Sequence, residues 1–205
     1  RGYARGPGGE GKGAAVSATS RAIQAGIDAA QHLVQQISGL QRETVDISNV
    51  VMAIKCGASD TTSGMASNCV IGYVADKLVD LGATVVFGET TEFLGGEHIL
   101  ARRAVGGENG PVGQKIYEIV NRMEARAKSI GEDMRGGQPT PGNIAGGLSS
   151  IEEKSLGAIV KSGHRPIQGV LEYTDRVDDQ KGLWIKDAPG REPEILTGMA
   201  ATGAQ

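Results

Sequence analysis

Apolar residues recur along the chain with two periods. Between Ala14 and about Leu40, Ile23, Ile27, Ala30, Val34 and Ile37 return at helical spacing and predict a first helix. Val50–Ile54 (VVMAI) is a continuous apolar run, the pattern of a strand buried on both faces. A polar loop, Cys56–Ser63, leads into a second helix over about 64–81, closed by Gly82. Thr84–Phe87 (TVVF) repeats the buried-strand pattern. A helix is predicted from about Glu92 to Ala104, broken by Gly106–Gly110, and an amphipathic helix from about 112 to 130. Residues 131–149 are polar and rich in Gly and Pro, and predict a long loop. A helix follows at about 151–162, a third strand at Ile167–Tyr173 and a fourth at Leu183–Ile185. The end, from Leu196, reads as a loop entering a helix.

Strand, loop and helix in repetition predict an α/β fold. The expectation is a three-layer, mainly parallel sheet flanked by helices, Rossmann-like or flavodoxin-like, with long Gly-rich loops. Residues 1–13 (RGYARGPGGEGKG) predict a flexible linker ahead of a single domain over 14–205. Sites in such sheets lie at the carboxyl ends of the strands. The loops after Ile54, Phe87 and Tyr173 fall there. Gly supplies 32 of the 205 residues, about twice the usual share, clustered between elements as tight turns require. A net charge of -3 gives no electrostatic case for nucleic acid or an anionic membrane. No apolar run approaches the about 18 residues of a membrane span. Two cysteines make no disulfide framework, and the expected compartment is the cytoplasm.

Three loops carry the polar chemistry. The first, Lys55–Gly64, lies between a buried strand and a helix start, where backbone amides and the helix dipole favour an anion. The hydroxyls of Ser59, Thr61, Thr62 and Ser63 are candidates to hydrogen-bond the same group; capping of the helix by Thr62 or Ser63 is the alternative. In the second loop, Glu89 and Glu92 follow a strand, with His98 in the next turn and Cys56 in the preceding loop. These donors suit Fe²⁺, Mn²⁺ or Mg²⁺ and equally suit acid/base work. Arg102 and Arg103 are candidate carboxylate binders, against a solvated helix face. Cys69, inside an apolar helix, is expected in the core. In the third loop a capping box explains Ser150 and Glu153. It leaves Asn143, Glu152 and Lys154 unexplained, and a lysine one turn into a helix opposes the dipole unless an anion holds it. The chain has no glycine fingerprint of a phosphate loop.

The segments IKCGASDTTSG, FGETTEFLGGEHILARRA and QPTPGNIAGGLSSIEEKSLGAIVKSG resemble, in this order, the altronate/galactarate dehydratase family, which includes the large subunit of (2R)-sulfolactate sulfo-lyase. The likeness runs from about Val45 through the DAPG and LTGMAATGA segments. It implies a lyase that removes a β-substituent from a small 2-hydroxy acid, giving a 2-keto acid, often with a divalent metal such as Fe²⁺. Lys154, Glu153, Asp60 and Glu89 are the catalytic candidates. Ser59, Thr61, Thr62, Asn143 and Arg102 are the substrate-binding ones, and Glu89, Glu92, His98 and Cys56 the metal ligands. Asp-Thr-Thr, Gly-Glu-Thr-Thr-Glu and Asn143-Ile144 resemble the sulfo-lyase branch, and the two branches stand nearly even. The resemblance further implies a catalytic region of a longer chain, in a homo-oligomer or with a partner subunit. A non-catalytic ligand-binding or assembly module is the competing reading.

Overall fold

The computed structural model describes residues 17–205, and the linker expected over residues 1–13 lies outside the described residues. By contact the chain divides into two units, Arg1–Thr44 and Val45–Gln205. The first unit contains α1 (Ala18–Ile37). Ser17 starts it: its Oγ accepts the Ser20 amide at 3.0 Å, satisfying one of the amides a helix start leaves unpaired.

The second unit holds four strands, β1 (Val51–Ile54), β2 (Thr84–Phe87), β3 (Ile167–Leu171) and β4 (Gly182–Lys186). They form one sheet in the order β1-β2-β4-β3, and every pair is parallel. The helices are α2 (Asn68–Asp80), α3 (Glu97–Arg103), α4 (Pro111–Ser129), α5 (Met134–Gly137), α6 (Pro141–Ala145), α7 (Ile151–Ile159) and α8 (Glu192–Thr202). Strand side chains alternate between two cores. Val85 and Phe87 enter one, with Ile116 and Ile119 of α4, Leu100 of α3 and Ile159 of α7. Val86 enters the other, with Ile195 and Met199 of α8. Each such aliphatic side chain contributes about 1.5–3 kcal/mol on burial. The protein is therefore the three-layer α/β fold that the repeated strand–loop–helix pattern predicts. Among the described residues no helix is long and apolar enough to cross a membrane.

Several elements differ from expectation for physical reasons. β1 is half-buried up to Ile54, because it is an edge strand paired on one side only. The helix expected from Glu92 starts at Glu97, after a 3-10 turn over Thr90–Phe93, because Gly95 is left-handed (φ 82°). The loop over 131–149 holds α5 and α6. Thr140 and Asn143 cap the start of α6 reciprocally. Leu196 lies inside α8, which starts at Glu192. Gly198 is needed inside it because a Cβ there would sit 2.7 Å from the Tyr173 ring. Cys69 is exposed, since α2 turns Asn68, Gly72 and Ala75 inward instead.

The two arginines of α3 separate clearly. Arg102 is exposed and pairs with Glu108 at 3.3 Å. Arg103 is half-buried. Its Nη1 donates to Ser162 Oγ (2.8 Å) and its Nη2 to the carbonyls of Ser162 (3.2 Å) and Arg165 (3.0 Å). Arg103→Ala strands these buried acceptors and is expected to lower stability by about 2–3 kcal/mol, read from the urea midpoint. Arg102→Ala, the control, is expected to change it by less than about 1 kcal/mol. Equal midpoints for the two variants would refute the assignment.

Candidate active site

β1 and β2 end side by side, with Ile54 opposite Phe87. Their loops open into a cleft of about 480 Å³. Lys55, Cys56 and Ser59 reach it from β1, and Glu89 and Glu92 from β2. Gln138, Asn143 and Lys154 reach it from the third loop and α7. The loop after Tyr173 does not. Instead Gly190–Glu192, after β4, completes the rim, while Glu172 and Tyr173 line a separate cleft of about 520 Å³.

Local hydrogen bonds set this convergence. Asp60 accepts the Ser63 amide (2.6 Å) while Ser63 Oγ accepts the Asp60 amide (3.0 Å), a reciprocal cap that starts the helical turns running into α2. Those turns include a π segment over Ser63–Ser67, a device frequent near functional sites. Gly64 and Gly157 let these turns meet α7 backbone to backbone, for a Cβ on Gly64 would lie 3.3 Å from the Gly157 Cα. Asn68 Nδ2 donates to the Gly157 carbonyl at 2.8 Å across the same contact. The third loop is tied down by Asn143 Nδ2, which donates to the Ser59 carbonyl (2.8 Å), and by the Thr61 amide, which donates to the Gly146 carbonyl (3.0 Å).

Glu89 is the most constrained group in the cleft. Its backbone is left-handed, φ 69° and ψ 60°, unusual for a residue with a side chain. Such strain concentrates at functional sites. Its Oε2 accepts the Cys56 amide (2.7 Å) and the Lys161 ammonium (2.6 Å). Its Oε1 accepts no hydrogen bond among the described residues, and Lys55 Nζ lies 3.8 Å from it. Burial first, then the neighbouring Glu92 charge, push the Glu89 carboxyl above the ordinary carboxylate range, against the pull of Lys161. Burial alone would lower Lys161. The charges of Glu92 and Glu89 outweigh it and hold the ammonium protonated. One ammonium thus serves two carboxylates.

Glu92 Oε2 lies 3.3 Å from Lys161 and Oε1 3.7 Å from Lys154. Lys154 Nζ makes its closest contact with a neutral group, Gln138 Oε1, at 2.7 Å. Lys55 Nζ donates to Glu192 Oε1 at 2.5 Å. Burial and the Glu92 charge raise the Cys56 thiol, and its Sγ sits 3.3 Å from Ser59 Oγ. A thiol so raised is a poor nucleophile.

The other expected residues divide. Ser59 and Asn143 line the cleft. Asp60, Thr61 and Glu153 line a smaller adjoining hollow of about 250 Å³. Asp60 caps a helix start, and those bonds to Ser63 and Thr62 hold its carboxyl below the usual range. Thr62 is exposed and donates to Asp60 (2.8 Å). Glu153 accepts the amide (2.7 Å) and hydroxyl (2.6 Å) of Ser149, a capping role. Neither Arg102 nor His98 lines the cleft. Sequence reasoning missed Lys161, Lys55 and Gln138. A signal for Lys161 existed: it stands three residues after Ala158, continuing the face that α7 buries through Ile151, Ser155 and Ala158.

A divalent metal does not fit these residues. Among the described residues no three His, Cys, Asp or Glu side chains are arranged to share one ion. The two carboxylates best placed for it are already held by Lys161.

Residues 47–205 match the family model described as D-galactarate/altronate dehydratase, C-terminal. The chain is 42% identical over 175 residues to the (2R)-sulfolactate sulfo-lyase subunit beta of Chromohalobacter salexigens, covering 85% of this chain and 44% of that one. It is 38% identical over 175 residues to the galactarate dehydratase (L-threo-forming) of Escherichia coli, covering 85% and 32%. It is 35% identical over 183 residues to the altronate dehydratase of Bacillus subtilis, covering 89% and 36%. The chain spans less than half the length of each of these relatives.

Proposed function

The chain belongs to the D-galactarate/altronate dehydratase family, and from that premise we propose that its cleft takes part in β-elimination from a small 2-hydroxy acid. One observation carries the reading: Glu89, which lines the cleft, has one carboxylate oxygen pinned by Lys161 and Cys56 and the other free of hydrogen bonds among the described residues. A carboxylate fixed in this way and raised by burial is suited to general-base work. It takes the proton from C2, beside the substrate carboxylate. The electron pair forms the C2–C3 double bond as hydroxide or sulfite leaves C3, and the resulting enol becomes the 2-keto acid. The enolate-like intermediate carries two negative oxygens, and Lys154 and Lys55 supply positive charge for them from the rim.

The comparison set defines the substrates to try: sulfolactate, galactarate and altronate. Release of a 2-keto acid from one of them is the expected result, with sulfite as co-product for sulfolactate. Glu89→Gln keeps the shape but removes the base, and is expected to lower turnover roughly a hundredfold or more. Turnover of Glu89→Gln within about threefold of the native chain would remove Glu89 from the reaction.

A further inference from the structure

Two carboxylates and one ammonium at the base of the cleft form a cation site whose cation belongs to the chain itself. Lys161 Nζ lies 2.6 Å from Glu89 Oε2 and 3.3 Å from Glu92 Oε2. The Lys161 and Glu89 side chains are 1% and 2% exposed. A hard divalent ion seated between the two carboxylates at this desolvated point would need these same Oε2 oxygens. Ammonium and ion therefore compete for one place.

The backbone holds Lys161 there. A 3-10 turn, Val160–Ser162, follows α7. Ser162 Oγ donates to the Ile159 carbonyl at 2.7 Å, and Arg103 grips both the hydroxyl and the carbonyl of Ser162. On the inner side, a Cβ on Gly72 of α2 would meet the Val160 carbonyl at 2.3 Å, so the turn packs tightly on α2. Lys154, 3.7 Å from Glu92 Oε1, and Lys55, 3.8 Å from Glu89 Oε1, add positive charge that opposes a further cation.

We infer that Lys161 is a positioning residue that fills the cation place beneath Glu89 and Glu92, so that this carboxylate pair holds no divalent metal in the native chain. Neither the geometry nor the test uses turnover, so the inference stands or falls apart from the proposed reaction.

The test is Mn²⁺ binding to the full chain, followed by the electron paramagnetic resonance of free Mn²⁺. The native chain is expected to show no saturable site that Glu89→Gln removes. Lys161→Ala opens a void between two carboxylates. It is expected to gain one site, at least about tenfold tighter than any in the native chain, lost again in Lys161→Ala/Glu89→Gln. Lys161→Met removes the charge but fills the space, and is expected to gain markedly less. If Lys161→Ala does not fold alone, Mn²⁺ is expected to restore its circular dichroism. Two results overturn the inference: native Mn²⁺ binding abolished by Glu89→Gln, or a Lys161→Ala chain that neither binds Mn²⁺ nor is rescued by it.

Discussion

Lys161→Met is expected to remove about 3–5 kcal/mol of folding stability at neutral pH, more than a shape-conserving change at any other residue of the cleft. Methionine matches the volume of the lysine stem, so packing changes little. What changes is charge: Glu89 and Glu92 stay buried with no ammonium between them. Burial and the Glu92 charge already raise Glu89 above its ordinary value of 4.5, and loss of Lys161 raises it further. A carboxyl raised on folding stabilises the native state below its unfolded pKa and loses that contribution as pH rises through the folded pKa. The deficit of Lys161→Met is therefore expected to be smallest at and below pH 4.5 and to grow towards neutrality. In the native chain the raised Lys161 contributes fully below its ordinary 10.5, and that contribution fades only as pH climbs through its higher folded value. Adding Glu89→Gln and Glu92→Gln to Lys161→Met is expected to recover most of the loss, because an uncharged set replaces an unbalanced one. Urea midpoints at acidic and neutral pH decide this. A single variant within about 1 kcal/mol of native at neutral pH would show that the cluster carries little energy.

The sheet was legible because its strands are apolar runs. Thr84–Phe87 is wholly buried, as its composition requires. The edge position of β1 was not legible, because strand order depends on pairings between distant segments. The three loops were legible as a site by their places after strands and before helices. Single residues in them were harder, since one residue type at one spacing serves a cap or a cleft equally well. Asp60 and Glu153 proved to be caps, while Asn143 caps α6 and also ties the loop to Ser59. Lys161 escaped notice because locally it looks like an ordinary basic residue at a helix end, where the dipole favours it. Its partners lie 72 and 69 residues upstream, beyond any local pattern. Arg102 and Arg103 are adjacent and alike in sequence, and only the helix phase against the core tells the half-buried one from the exposed one.

Lys154 is the cleft lysine least neutralised by its surroundings, and Lys154→Met is expected to lower turnover roughly a hundredfold or more while leaving the fold nearly intact. Lys161 is locked by two carboxylates, and Lys55 is paired at 2.5 Å with Glu192. Lys154 instead rests on the Gln138 amide oxygen at 2.7 Å, with its carboxylate neighbour Glu92 at 3.7 Å. A substrate carboxylate can take it from Gln138 by exchanging a neutral acceptor for a charged one, which strengthens the hydrogen bond. That answers how a lysine persists one turn into α7, where the dipole opposes it by a few tenths to about 1 kcal/mol. Glu92 offsets part of that cost in the resting protein, and an anionic ligand offsets more. If Lys154 only paired with Glu92, the contact would be worth about 0–1 kcal/mol, and methionine would shift stability slightly and turnover hardly at all. If it holds the substrate, KM rises and kcat falls together, because the charge acts on the bound carboxylate and on the enolate that follows. Gln138→Ala separates the two cases further: it frees Lys154 without removing its charge, so substrate affinity is expected to hold or improve. Native-like kcat and KM in a folded Lys154→Met protein would remove the lysine from the reaction and leave it a surface pair.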